Sequence, residues 1–146
     1  AHTTEPFECN EEQFFSFVPN GGTFISPSLH LVKDIIAERY NPSDWNSYTF
    51  YCGDGDNWPD DNAHVGSAFQ DVIGACQLTA YIEISPDLED RPKWDKDAGT
   101  AASLLVPLQS DKFKMIQLVS PTDIWTSFNK LFGDEVMAVQ DLGEGV

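Results

Sequence analysis

The feature that most constrains the fold is a β-forming run that stops abruptly in an acidic loop. Residues 48–51 (YTFY) lead into residues 52–62 (CGDGDNWPDDN), and a helical pattern of apolar residues begins after them. Two glycines, a proline and four aspartates end the strand and favour a turn. The sequence therefore predicts a strand, a loop at its carboxyl end, and then a helix.

The whole chain shows this alternation of strand and helix four times. Connections of helix length require parallel strands, because a tight hairpin can join only antiparallel ones. We therefore predict an α/β fold, a mostly parallel Rossmann-like sheet with helices on both faces. Strands are predicted at 7–9, 45–52, 78–84 and 113–119. One helical turn is predicted after Asn10. Longer helices are predicted from Ser26 to the Asn41-Pro42 pair, at 65–76 and 98–108, and from Ser120 to Gly133.

Length and composition predict one globular domain. The chain has 146 residues, of which 41% are hydrophobic, and this is enough for a single core. We predict one domain over residues 1–146. Residues 134–146 are rich in acidic residues and glycine, and we predict a mobile tail there.

The charge of the chain narrows its choice of partners. It has 24 acidic and 8 basic residues, giving a formal net charge of −16, which opposes binding to nucleic acid or anionic membranes. Salt adaptation and simple solubility are alternative reasons for this acidity. Three widely spaced cysteines without a CxxC pair favour a reducing compartment. With no membrane-length apolar run and no signal-peptide pattern, the predicted location is cytoplasmic.

Two loops of the predicted sheet carry oxygen-bearing side chains. Residues 21–23 (GGT) precede a helix, and residues 53–55 (GDG) follow the next strand. Ligands of parallel α/β sheets bind at the carboxyl ends of the strands, where both loops are expected. A hydroxyl from Thr23 and a carboxylate from Asp54 could then share a hard cation such as Mg²⁺.

Two other interpretations of the acidic loop stay open. Carboxylates there could hold the cations of a metal-dependent hydrolase, with the candidate set Asp54, Asp56, Asp60 and Asp61. The sequence offers no nucleophile paired with a base, and it lacks a P-loop, a dinucleotide fingerprint, a nucleophile elbow and an EF-hand. Alternatively, the loop is a solvated turn in which Asp60 or Asp61 caps the next helix.

Glu83 is a carboxylate near the end of a predicted buried strand. Such a group must be paired, hydrogen-bonded or exposed at the rim of the sheet. We expect it to face the rim, because glutamate is almost never fully buried unless it is paired.

Six segments, spread in order over nearly the whole chain, resemble the YeaH/YhbH family of bacterial stress-response and sporulation proteins. They are GGTFIS at 21–26, ERYNP at 38–42, WNSY at 45–48, DGDNW at 54–58, YIEI at 81–84 and DKFK at 111–114. The resemblance implies a von Willebrand factor A-like fold with a metal-ion-dependent adhesion site for Mg²⁺. It implies Thr23 and Asp54 as metal ligands. Residues implied in a second shell or facing a partner are Gly22, Ser26, Asp56, Asn57 and Glu83.

Two departures from the family pattern affect the metal site that the resemblance implies. Gly53 stands where the family usually has serine, and the Asp-x-Ser-x-Ser segment is absent. The chain therefore resembles the C-terminal portion of such a domain, in which Mg²⁺ binding is expected to be weak or absent. An exposed sheet edge is also expected, and with it self-association.

The function implied by the resemblance is that of a non-enzymatic protein-interaction domain. The implied setting is bacterial stress response or sporulation, alongside a PrkA-type serine protein kinase and a SpoVR-like protein. The hydrolase described above is the alternative.

Overall fold

A computed structural model of the protein describes residues 1–18, 21–84 and 100–141, with side chains described as far as residue 133. Within these described ranges, three strands and five helices form the framework. The strands are β1 (Tyr48–Gly53), β2 (Leu78–Ile84) and β3 (Phe113–Leu118). The helices are α1 (Glu11–Ser16), α2 (Ile25–Arg39), α3 (Asn62–Ala75), α4 (Ala101–Leu105) and α5 (Asp123–Asp141), with 3₁₀ turns at Pro59–Asp61 and Val106–Leu108.

The three strands form one parallel sheet in the order β1-β2-β3. Tyr48 of β1 lies opposite Leu78 of β2, and Thr79 of β2 lies opposite Phe113 of β3. Helix α3 connects β1 to β2, so the carboxyl ends of both strands lie at the same edge of the sheet. The predicted parallel α/β architecture is confirmed.

Each face of the sheet packs against different helices. Tyr51, Tyr81 and Phe113 point into the larger core together with side chains of α2, α3 and α4. On the opposite face, Leu78, Ala80 and Ile116 pack against Leu131 and Phe132 of α5. Alternating side chains of each strand therefore serve two cores, because both faces are covered.

The strand predicted at residues 7–9 is wrong. Among the described residues, the β-type pairing near it is an isolated antiparallel bridge between His2 and Pro6. The helical turn predicted after Asn10 is present as α1, which begins with a capping box of Asn10 and Gln13. Phe14 and Phe15 of that helix are 55% and 78% exposed. Apolar composition alone does not make a strand when no neighbouring strand offers hydrogen bonds.

Two predicted helix ends also differ from the structure. Helix α2 begins at Ile25, so Ser26 lies inside the helix and does not cap it. Helix α5 continues through Gly133 to Asp141. A glycine costs a helix only about 1 kcal/mol, which does not stop a helix of this length.

Some predictions fall on segments that the structure describes only in part or not at all. The predicted loop after β2 (85–97), the first residues of the helix predicted at 98–108, and residues 142–146 lie outside the described residues. The backbone of α5 covers 134–141, the first part of the predicted mobile tail. Mobility of that tail stays a prediction.

Candidate functional site at the carboxyl edge of the sheet

The loop before α2 and the loop after β1 enclose a shallow pocket of about 560 Å³. Thr23 is half-buried in the first loop, and Asp54 is exposed in the second. The two predicted metal ligands therefore line the same pocket although they lie far apart in sequence. The lining consists of Gly21, Gly22, Thr23, Asp54, Asp56, Asn57, Trp58 and Pro59.

Trp58 joins the two loops. Its backbone N–H donates to the Thr23 carbonyl at 3.0 Å, and its indole packs edge-on against Phe24 with ring centroids 5.8 Å apart. The indole lies directly over Gly22, where a Cβ atom would stand 1.6 Å from Trp58 Nε1. Glycine is therefore required at position 22 for this arrangement.

Asn57 lines the pocket, but its amide is used for structure. Its Oδ1 accepts the backbone N–H of Ile25 at 3.1 Å, and its Nδ2 donates to Asn62 Oδ1 at 3.0 Å. Both ends of the side-chain amide thus connect the loop to the first residues of α2 and α3. Asn57 holds the wall of the pocket in place.

Asp61 caps α2 from a distant part of the sequence. Its carboxylate accepts the backbone N–H groups of Ile25 at 2.8 Å and Ser26 at 2.9 Å, together with the Ser26 hydroxyl. These N–H groups belong to the first turn of α2, where no intrahelical partner exists and where Phe24 provides no side-chain cap. The buried carboxylate therefore replaces a local cap.

This bonding corrects the prediction that Asp60 or Asp61 caps the following helix. Asp61 stands at the N-cap position of α3, yet its side chain makes no capping bond there. Ser26, assigned a second-shell or partner-facing role by resemblance, is buried and donates to Asp61. Sequence reasoning singled out both residues and missed their pairing.

The surroundings of Asp61 favour its ionised form. Burial opposes ionisation, but hydrogen bonds from the Ser26 hydroxyl and from the Ser26 and Ile25 backbone outweigh it and lower the pKa of Asp61. Partially positive N–H groups at a helix N-terminus stabilise a negative charge in the same way. Asp61 is therefore a carboxylate at neutral pH.

The lowered pKa predicts how the contribution of Asp61 depends on pH. A carboxyl group with a lower pKa in the folded state stabilises the fold above its unfolded pKa, here near 3.8, and loses that contribution as the pH falls through the folded value. We expect the stability difference between the natural chain and Asp61→Ala to shrink between pH 5 and pH 2. Urea denaturation at several pH values measures it, and a constant difference would contradict this assignment.

The turn at Asp54 has its own bonding. Asp54 Oδ1 accepts the backbone N–H of Asp56 at 3.1 Å, and the carbonyl of Gly55 accepts the N–H of Ala101 at 3.2 Å. Gly55 has a φ of +92°, and a Cβ there would lie 3.1 Å from Glu83 Oε2. A glycine is thus needed at position 55 both for the backbone conformation and for the close approach to Glu83.

We had expected Glu83 to face the rim of the sheet. It is instead buried beneath this turn. It is 6% exposed, and the Tyr81 hydroxyl donates to its Oε2 at 3.2 Å. Burial, with the nearby Glu83 charge, raises the pKa of Tyr81 far above its usual value, so the hydroxyl keeps its proton. Glu83 is covered because β2 is the middle strand and the Gly55 turn crosses its end.

The oxygen-bearing side chains of the pocket are few. Thr23, Asp54, Asp56 and Asn57 provide them, and the Asn57 oxygen already accepts the N–H of Ile25. The described part of the chain contains no group of three His, Cys, Asp or Glu residues arranged to hold a metal ion. The four aspartates of the hydrolase interpretation are not gathered in one place. Asp54 and Asp56 line the pocket, Asp60 is exposed outside its lining, and Asp61 is bound to α2.

The fold and the pocket define a class of protein: a parallel α/β domain with an oxygen-lined pocket at the carboxyl edge of its sheet. Residues 1–135 match the family model described as "Protein of unknown function (DUF444)". The chain therefore belongs to the DUF444 family.

Relatives named "UPF0229 protein" agree with this assignment. One from Chelativorans sp. (strain BNC1) is 38% identical over 135 residues, which is 90% of this chain and 31% of that protein. One from Chromohalobacter salexigens is 36% identical over 92% of this chain and 30% of that protein. One from Ruminiclostridium cellulolyticum is 35% identical over 90% of this chain and 32% of that protein.

The chain thus spans about a third of the length of these relatives. No solved structure matches it significantly. Among the described residues, no helix is both long enough and apolar enough to cross a membrane.

Proposed function

We propose that this chain is part of a non-enzymatic protein-interaction domain of the von Willebrand factor A type. Its contact face is the pocket between residues 21–23 and 54–59, and Thr23 and Asp54 contribute two ligands to a Mg²⁺ site there. An acidic side chain of the partner would complete the coordination of the ion.

The observation that carries the proposal is that Thr23 and Asp54 line one pocket. The Trp58 N–H donates to the Thr23 carbonyl, and the Asn57 and Asp61 side chains accept the N–H of Ile25. These bonds hold the two loops together, so the pocket is formed before any ligand arrives. A preformed site loses less conformational entropy on binding. Trp58 beside the pocket is 50% exposed, and tryptophan is enriched where protein interfaces gain most of their binding energy.

The donor set explains why we expect little metal binding by the chain alone. Mg²⁺ takes about six oxygen ligands in octahedral geometry, and it usually keeps several waters. The Thr23 hydroxyl and the Asp54 carboxylate are hard donors of the right type, and Asp56 offers a second carboxylate in the same pocket. We propose that the other protein ligands come from the part of the longer relatives that this chain does not match.

The cellular setting belongs to the same proposal. The resemblance to the YeaH/YhbH family supports a cytoplasmic role in bacterial stress response or sporulation, with a PrkA-type serine protein kinase and a SpoVR-like protein as partners. The net charge of −16 favours partners with basic surfaces over nucleic acid.

A Mg²⁺ titration tests the metal site. Two proteins are compared in the titration. One is this chain alone, and the other is a chimera in which this chain replaces the matching third of the Chelativorans relative. We expect the chimera to bind Mg²⁺ at least ~10-fold more tightly than the chain, a difference of about 1.4 kcal/mol, because it adds oxygen ligands to the ion. We expect Asp54→Ala to abolish that gain, as measured by isothermal titration calorimetry.

Asp60→Ala is the matched control, because it removes the same charge from an exposed position outside the pocket lining. It should leave the affinity nearly unchanged. Tight binding by the isolated chain, together with phosphatase or nuclease turnover lost in Asp54→Ala, would instead support the hydrolase.

A further inference from the structure

The outer edge of β1 is open in the described structure. β1 pairs with β2 on one side, and no described residue adds a strand on the other. Natural edge strands are usually protected by charged side chains, prolines or bulges, and none of these occurs in the β1 sequence YTFYCG. β1 therefore has the composition of an inner strand.

The side chains of β1 lead to the same conclusion on both faces. Tyr51 is buried in the larger core, whereas Tyr48 and Phe50, on the opposite face, are 39% and 42% exposed. Each of the latter two rings has its centroid 6.0 Å from that of Phe132, and both rings remain partly exposed. Inner strands of parallel sheets are apolar on both faces because both faces are covered.

A groove runs beside this open edge. It has a volume of about 810 Å³ and is enclosed by β1, α2 and the segment before α2. Its apolar lining includes Leu29, Val32 and Ile35 of α2 and the rings of Phe7, Phe14 and Phe17. The exposure of Phe14 noted above is explained if another segment occupies the groove.

We propose that the open edge of β1 pairs with a strand supplied by the part of the longer family proteins that lies outside the region matched by this chain. The strand would be apolar on both faces, with side chains filling the groove on one side and covering Tyr48 and Phe50 on the other. Its backbone would satisfy the outward N–H and C=O groups of β1.

The length of the relatives favours this occupant over a second copy of the chain. About two thirds of each relative described above lies outside the match, so a strand on the same polypeptide is present at high effective concentration. Two copies of this chain would each bring a net charge of −16, which opposes their association. A strand within one polypeptide avoids that repulsion between separate molecules.

Hydrogen–deuterium exchange tests the proposal without reference to metal binding. This chain and the full-length Chelativorans relative are compared in EDTA, so that a missing Mg²⁺ site cannot affect the result. In this chain, the β1 amides that point away from β2 should exchange rapidly. In the relative, the matching amides should exchange at least ~10-fold more slowly, as expected for paired strand amides.

The β2 amides provide the internal control, because β2 has neighbours on both sides in this chain and should be protected in both proteins. Fast exchange of the β1 edge in the relative would overturn the proposal. Protection of the β1 edge that is lost on dilution, together with a dimer mass by light scattering in either protein, would also overturn the proposal. The occupant of the edge would then be a second copy of the chain. Protection that is independent of concentration in a monomeric relative is the expected result.

Discussion

Replacing Asp61 with alanine is expected to lower the free energy of unfolding by about 2–4 kcal/mol at pH 7. The carboxylate accepts hydrogen bonds from the backbone N–H groups of Ile25 and Ser26 and from the Ser26 hydroxyl. Its removal leaves the Ser26 N–H and the buried hydroxyl without this acceptor, whereas the Ile25 N–H keeps its bond to Asn57 Oδ1. Hydrogen bonds to a charged group contribute about 1.5–3 kcal/mol each, and their effects are not additive. Urea denaturation followed by circular dichroism measures the change.

Asp60→Ala is the matched control for this experiment. Asp60 is exposed in the same 3₁₀ turn, and its replacement should change the stability by less than about 0.5 kcal/mol. Asp61→Asn retains an acceptor oxygen without the charge and should fall between the other two variants. Equal losses for Asp60→Ala and Asp61→Ala would show that Asp61 does not cap α2.

Replacing Gly22 with alanine is expected to displace the Trp58 indole and to destabilise the fold by about 1–3 kcal/mol. The new methyl group would lie 1.6 Å from Nε1, so the ring must leave its contact with Phe24. Overpacking of a close contact typically costs this amount. The indole N–H resonance of Trp58 reports the movement, and urea denaturation reports the loss of stability.

Gly66→Ala is the control glycine. A Cβ at Gly66 meets no atom within 4 Å, and the residue lies inside α3, so alanine should stabilise the helix slightly. In the double variant Gly22→Ala with Trp58→Ala, the clash is absent, so Gly22→Ala should cost much less there than in the natural background. A full cost in both backgrounds would mean that Gly22 matters for a reason other than the indole.

The sequence was sufficient to predict the three strands of the described sheet and their parallel direction, but it also predicted a strand at residues 7–9 that is not there. Periodicity and helix-length connections follow from residues close together in the chain. The strand at residues 78–84 has the predicted bounds, and α2 ends before Asn41 as predicted. The position of β1 at the edge of the sheet was harder to predict. It depends on whether residues 7–9 form a further strand, and these residues lack a strand partner among the described residues.

The candidate site was predictable only in part. Glycine and threonine before a helix, and aspartate after a strand, indicated two loops at one edge, and the structure brings Thr23 and Asp54 to one pocket. The bond between Ser26 and Asp61 joins residues 35 positions apart, and no local pattern encodes it. One signal was available: Phe24, at the N-cap position, has no polar side chain, so α2 needs an acceptor from elsewhere.

The bonds that join the two loops come from the Thr23 carbonyl, the Asn57 amide and the Asp61 carboxylate. Asp56, a residue of the pocket lining, contributes no side-chain bond to this connection among the described residues. Evolution can therefore exchange the Asp56 carboxylate while the walls of the pocket keep their shape. Natural variation within the family should then concentrate at position 56 and spare positions 57 and 61, together with the proposed metal ligand Thr23.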